Sequence, residues 1–155
     1  MKNEFDGIWN IALGMLGKRN HTAFELERKL LQRGFEKEIV RKIILKCSEL
    51  HFVDDTNYGR LYIGELVRRG YGPHRIRYEM AKKGLGNHLI DELFFEENIE
   101  KNERAMCEKV LAKKNKTIPA NKDRLKRKAL LQRFLLSRGF SISIISDLIE
   151  KSQPE

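Results

Sequence analysis

Three stretches of this chain follow one pattern: LLQRGFEKEIVRKII (Leu30 to Ile44), MAKKGLGNHLIDELF (Met80 to Phe94) and LLSRGFSISIISDLI (Leu135 to Ile149). Each has a Lys or Arg, then Gly34, Gly84 or Gly139, then Phe35, Leu85 or Phe140. Five, six, nine and ten residues past the glycine come Ile39, Val40, Ile43 and Ile44, then Leu89, Ile90, Leu93 and Phe94, then Ile144, Ile145, Leu148 and Ile149. Four and eight residues before it stand Leu30 and Leu26, Met80 and Ile76, Leu135 and Leu131. Apolar residues at these intervals make the inward stripe of an amphipathic helix. The chain is therefore a threefold repeat of helix, glycine break and helix.

The shared glycine reads as a helix stop. In the left-handed conformation it satisfies carbonyls that the helix end leaves without partners, and the next apolar residue folds back on the last turn. Arg33, Lys83 and Arg138 precede it, where the negative end of the helix dipole favours a cation. Start signals precede the capped helices of the first two repeats. Thr22 stands three residues before Glu25 as a capping box, and Gly72 with Pro73 reads as N-cap and first helical residue. Asp54 or Asp55 in HFVDDTNYG is the N-cap of another helix. The candidate structural caps are thus Thr22, Gly34, Asp54, Asp55, Gly72, Pro73, Gly84 and Gly139.

Further helical spacing in Ile11 to Lys18, Tyr58 to Arg69 and about Glu100 to Lys114 adds one helix to each repeat. The expectation is an all-α chain of nine helices in three tandem three-helix repeats, over 5–51, 52–97 and 98–152. The third is looser, because NKTIPAN lengthens the glycine interval from 50 residues (34 to 84) to 55 (84 to 139). A three-helix unit buries only a small core alone, so the repeats should stack into an elongated, curved molecule. Charged residues at 34%, against an average of about 25%, suit thin helical layers.

The net charge of +9 is concentrated in the last third. Residues 1–100 hold 17 Lys and Arg against 16 Asp and Glu, and residues 101–155 hold 14 against 6, so the two segments carry +1 and +8. Such an excess raises a local potential for a polyanion or an acidic protein face, although a solvated basic helix has the same composition. Its centre is NKDRLKRKALLQRFLLSRG, with Lys122, Arg124, Lys126, Arg127, Lys128, Arg133 and Arg138. Leu125, Leu130, Leu131, Phe134 and Leu135 are expected to form its inward stripe, leaving the cations to the surface. Few aromatics here can stack on bases, which favours contact with phosphates or an acidic groove over reading of single-stranded sequence.

Other chemistries find little support. GYGPHR follows a helix and lacks the third glycine of a dinucleotide fingerprint and the Gly-Lys-Ser/Thr of a phosphate loop. Within the helix that it opens, Arg75, Arg77, Lys82 and Lys83 are candidate contacts, with Ile76, Met80 and Ala81 facing the core. A solvated face carrying an Arg75–Glu79 pair is the bland alternative. Asp54, Asp55 and His51 suggest half of a metal site, but converging ligands are missing and His21, His74 and His88 are scattered. No metal, cofactor or catalytic residue is expected. Cys47 and Cys107, far apart in apolar patterns, read as buried free thiols, which fits the cytoplasm. No run approaches the ~18 apolar residues of a membrane span.

FVDDTNYGRLYI (Phe52 to Ile63), GPHRIRYEMAKKGL (Gly72 to Leu85) and FLLSRGFSISII (Phe134 to Ile145) together resemble the RecX family of bacterial regulatory proteins. Order and separation match, and the likeness covers essentially the whole chain. The resemblance implies a non-enzymatic modulator of the RecA recombinase in DNA repair, recombination and the SOS response. Members of that family bind the RecA filament on single-stranded DNA along its groove, usually inhibiting growth, ATP hydrolysis and strand exchange, and some bind DNA directly. The implied partner is the RecA nucleoprotein filament, with single- or double-stranded DNA besides, met by a cytoplasmic monomer. A general DNA-binding helical repeat without a recombinase partner is the alternative.

Overall fold

Each repeat glycine closes a helix in the left-handed region, with φ of 88° at Gly34, 81° at Gly84 and 93° at Gly139. A computed structural model describes residues 2–152, and among these are nine α-helices and no strand. The first repeat holds α1 (Lys2–Lys18), α2 (Ala23–Gln32) and α3 (Lys37–Glu49). The second holds α4 (Asp55–Arg68), α5 (Pro73–Lys82) and α6 (Asn87–Glu96). The third holds α7 (Ile99–Asn115), α8 (Arg124–Ser137) and α9 (Ile142–Lys151). None of the twelve apolar repeat positions after the glycines is exposed, and all six before them are buried.

Internal packing divides the chain into two compact units. One runs to Leu61 and takes in Met80–Ile90; the other comprises Tyr62–Glu79 and continues from Asp91. The middle repeat is thus shared, with α4, α5 and α6 each contributing to both units. In the first unit Ile8 and Ala12 of α1, Leu26 and Leu30 of α2 and Val40, Ile43 and Cys47 of α3 form a core that Val53 extends. In the second unit Cys107 and Leu111 of α7, Leu131 and Leu135 of α8 and Ile145, Leu148 and Ile149 of α9 form another, with Ile118 and Phe140.

Helix closures follow the chemistry of their ends. At α5 the Gly84 N–H donates to Ala81 O at 2.9 Å and the Leu85 N–H to Met80 O at 3.3 Å, the paired bonds of a Schellman cap. At α8 the matching bonds run from Gly139 to Leu136 and from Phe140 to Leu135. The third helix of the first repeat ends in the same way without glycine: His51 takes the left-handed position at φ 59°, and the Phe52 N–H donates to Cys47 O at 2.8 Å.

Where one repeat meets the next, the start of a second helix sits on the following repeat's glycine cap. In the first unit Thr22 Oγ1 donates to the main-chain carbonyl of Lys83 at 2.5 Å. Phe24 lies over Gly84 so closely that a Cβ built there would fall 2.2 Å from the Phe24 side chain. In the second unit the Gly72 N–H donates to Arg138 O at 2.7 Å and the His74 N–H to Gly139 O at 3.0 Å. A Cβ on Gly139 would meet the Arg75 main-chain nitrogen at 2.3 Å. Around Gly34, by contrast, nothing lies within 4 Å of such a Cβ.

The first of these joints carries a buried polar cluster. Thr22 Oγ1 accepts from the Glu25 N–H at 3.1 Å, and Glu25 Oε1 accepts from the Thr22 N–H, completing the capping box. Glu25 is buried and pairs with Arg19 at 2.8 Å and, more distantly, with Lys83 at 3.8 Å. Burial alone would raise its pKa; the Arg19 hydrogen bond, the Thr22 N–H and the Lys83 charge outweigh this and hold it below the carboxylate norm. His21 is also buried, with Nε2 2.9 Å from Lys29 Nζ and Nδ1 2.9 Å from Arg19 O. An ammonium only donates, so Nε2 accepts and the Nδ1–H points to the carbonyl, leaving the ring neutral. Burial, with the charges of Arg19 and Lys29 adding to it, outweighs the hydrogen bond to the Arg19 carbonyl and pushes its pKa down.

Candidate functional site

The basic segment folds as α8 and the loop before it. Asp123 caps α8, its carboxylate accepting from the Lys126 N–H at 3.2 Å. Leu131 and Leu135 are buried, but Leu125 is 75% exposed, which corrects its assignment to the inward stripe. The reason is angular. At about 100° per residue, the line through Leu135 and Leu131 continues back to Arg127 and Lys128 rather than to Leu125. Those two cations are half-buried, their stems lying against the protein. Arg127 donates to Asn115 Oδ1 and to Pro119 O, each at 2.6 Å, and so fastens the loop after α7.

The remaining cations divide by what they touch. Arg138 is half-buried; its guanidinium lies 5.3 Å from the Tyr71 ring centroid and 5.0 Å from that of Phe134, and it donates to Arg69 O at 3.0 Å. Arg75 pairs with Glu79 at 2.9 Å and lies 4.9 Å from the Tyr71 centroid, so the residue that abuts Gly139 is anchored on both sides. Arg77 joins Asp91 of α6 at 2.7 Å and covers Phe94. Lys83 lies in the Glu25 cluster, while Lys82 and Arg124 are exposed. Lys122, Lys126 and Arg133 are exposed and form no ion pair among the described residues, nor does half-buried Lys128. Lys126 and Arg133, seven residues apart, share one outward face of α8.

Ala81 is exposed rather than part of the core beside Ile76 and Met80. Asp54 caps α4, its side chain accepting from the Asn57 N–H at 3.0 Å, whereas the Asp55 carboxylate accepts from the Ala23 N–H at 2.9 Å, tying α4 to α2. Gly72 O accepts from the Ile76 N–H at 2.9 Å and Pro73 is the first residue of α5. Among the described residues no group of three or more His, Cys, Asp or Glu could hold a metal ion. Both cysteines are buried; burial pushes the Cys47 thiol up and the Cys107 thiol to about 12, so neither is a ready nucleophile.

The second unit also holds a cleft of about 650 Å³, which is not among the sites expected from the sequence. Its walls are the end of α4 with Gly70 and Tyr71, one face of α7, and Phe134 with Arg138. Lys109 and Lys113, four apart on α7, are its mark in the sequence, a sparser one than the run of cations on α8.

Three family models match the chain: the first, second and third three-helix domains of RecX, over residues 9–47, 54–93 and 102–149. Regulatory protein RecX of Clostridium acetobutylicum is 34% identical over 142 residues, covering 90% of this chain and 66% of that protein, so this chain spans about two thirds of its length. Regulatory protein RecX of Haemophilus influenzae is 30% identical over 148 residues and 95% of both chains. The crystal structure of RecX from Lactobacillus salivarius superposes with a TM-score of 0.80 at 22% identity over 97% of each chain. A second crystal structure, of a regulatory protein RecX, gives 0.82 at 22% identity over 96% of this chain and 74% of that one. These two structures share the fold. With three matched domains in order and relatives at 30% identity or more along nearly its full length, this chain belongs to the RecX family.

Proposed function

We propose that this chain is a regulator of the RecA recombinase: it binds the RecA filament on single-stranded DNA and inhibits ATP hydrolysis, filament growth and strand exchange. The ordered match to all three RecX domains carries this reading. Docking is by a basic surface of the third repeat, with Lys122, Lys126, Lys128 and Arg133 as contacts, supported by the exposure of all but half-buried Lys128 and by the lack of an ion pair at any of the four among the described residues. Arg75, Arg77, Lys83, Arg127 and Arg138 serve the fold first, because their guanidinium or ammonium groups are engaged within the protein. The chain is organised as three repeats, 5–51, 52–97 and 98–152, of which the third carries the contact surface. The protein acts as a cytoplasmic monomer without enzymatic activity.

The test combines purified protein with RecA, single-stranded DNA and ATP. Substoichiometric protein should lower ATPase rate and filament length at moderate salt; unchanged values would end the proposal. A K126E/R133E variant should inhibit less, and unchanged inhibition would move the contact surface away from α8. General DNA binding is the second reading, favoured by the charge of +8 after residue 100. It predicts tight, steeply salt-dependent binding to DNA without RecA.

A further inference from the structure

The cleft between the end of α4, α7 and α8 has two kinds of surface. Val67, Met106 and Val110 make an aliphatic lining, close enough at Gly70 that a Cβ there would stand 3.3 Å from Val110 Cγ2. Arg68, Lys109 and Lys113 bring exposed cations to its edge, and no carboxylate is among its lining residues. A volume of about 650 Å³ lies within the range that holds a ligand or an anchoring side chain.

The chemistry separates two kinds of polyanion. Single-stranded nucleic acid gains most of its non-ionic affinity by stacking bases on aromatic faces. The aromatics here are already engaged by cations: Tyr71 by Arg75 and Arg138, Phe134 by Arg138 and by Lys114 at 4.7 Å. What remains is aliphatic, and it suits an apolar side chain inserted from a segment whose own charges are negative.

We propose that this cleft is the docking site for an acidic protein segment, which inserts one apolar side chain against Val67, Met106 and Val110 and sets carboxylates beside Arg68, Lys109 and Lys113. This deepens the partner-binding role proposed above, on which it rests only for the identity of the protein that carries the segment.

The test uses the full chain and no recombinase. A fluorescein-labelled twelve-residue Asp/Glu peptide with a central Phe is titrated by anisotropy, beside the same peptide with Ser for Phe and a twelve-nucleotide oligothymidylate. Binding of the Phe peptide is expected at an affinity on the order of ten micromolar, as for small transient contacts. The Ser peptide, the oligonucleotide and a K109E/K113E variant should each lose at least tenfold. A V110D variant, checked for native helicity by circular dichroism, should lose as much; because Val110 is half-buried, the exposed lysine pair decides the matter if V110D misfolds. No binding of the Phe peptide, tighter binding of the oligonucleotide, or equal binding by the lysine variant would overturn the proposal. Since RecA is absent, those results leave the recombinase reading standing, and a failed ATPase assay beside intact peptide binding would sink that reading alone.

Discussion

Gly139 lies against the main chain of Arg75, with room for a hydrogen at its Cα and none for a methyl group: a Cβ there would stand 2.3 Å from the Arg75 nitrogen. The three repeat glycines share their backbone conformation but differ in surroundings, which grades the cost of replacing each by alanine. G34A should lose about 1 kcal/mol, the cost of the left-handed conformation alone. G84A should lose considerably more, because the obstacle begins at Phe24 Cβ, 2.2 Å away, an atom that no change of rotamer moves. G139A should lose about 3 kcal/mol or more, since the obstacle is backbone. Urea denaturation of the three variants tests the order, and equal losses would contradict the joint.

The opposite change is expected at His51. It occupies the left-handed position that glycine fills at the other caps described above, at φ 59°. H51G should relieve roughly 1 kcal/mol of strain, less the entropy that glycine adds to the unfolded chain. A raised melting temperature is the expected result; a lowered one would show that the exposed imidazole contributes a contact.

Acid should weaken the first unit in two stages. The folded-state pKa of His21 lies below its ordinary 6.5, so the unfolded chain binds the proton first and stability falls as pH drops below about 6.5. Glu25 lies below its ordinary 4.5; its contribution persists above that value and is lost as pH falls further. Melting temperatures between pH 7.5 and 5.5 should fall less steeply in H21Q than in the parent protein, and parallel slopes would argue against this role of His21.

Both thiols should resist a disulfide reagent at pH 8 in the native protein and react fully in denaturant. Cys107, with its pKa near 12, should be the slower to react natively. Rapid native labelling would contradict the burial of these helices.

Arg127 offers a control for charge-reversal experiments. Its hydrogen bonds to Asn115 and Pro119 predict that R127A costs on the order of 1 kcal/mol and speeds amide exchange around Pro119. K126A should leave both unchanged. Weakened docking in R127A therefore reports folding as much as contact, whereas K126A isolates contact.

The repeat and its core were legible because an i, i+4 apolar spacing and a glycine stop are local properties of the chain. Leu26, Leu30, Val40 and Ile43 could be placed inside from periodicity alone. Leu125 is apolar yet lies outside, since the line through Leu135 and Leu131 reaches Arg127 and Lys128 instead and residue type alone does not show the angle. The bond from Thr22 to Lys83 spans 61 residues and ends on a carbonyl, which no residue type announces. His51 escaped notice as a cap because a non-glycine residue in the left-handed region carries no compositional mark. The α7–α8 cleft draws on three helices, so no single stretch contains its pattern.

At both joints the acceptors are peptide oxygens, that of Lys83 in one and those of Arg138 and Gly139 in the other. Every amino acid owns that atom. Tandem copies can therefore drift apart in their side chains while the glycine beside the oxygen keeps their register, as a hinge pin keeps its place in doors of different wood.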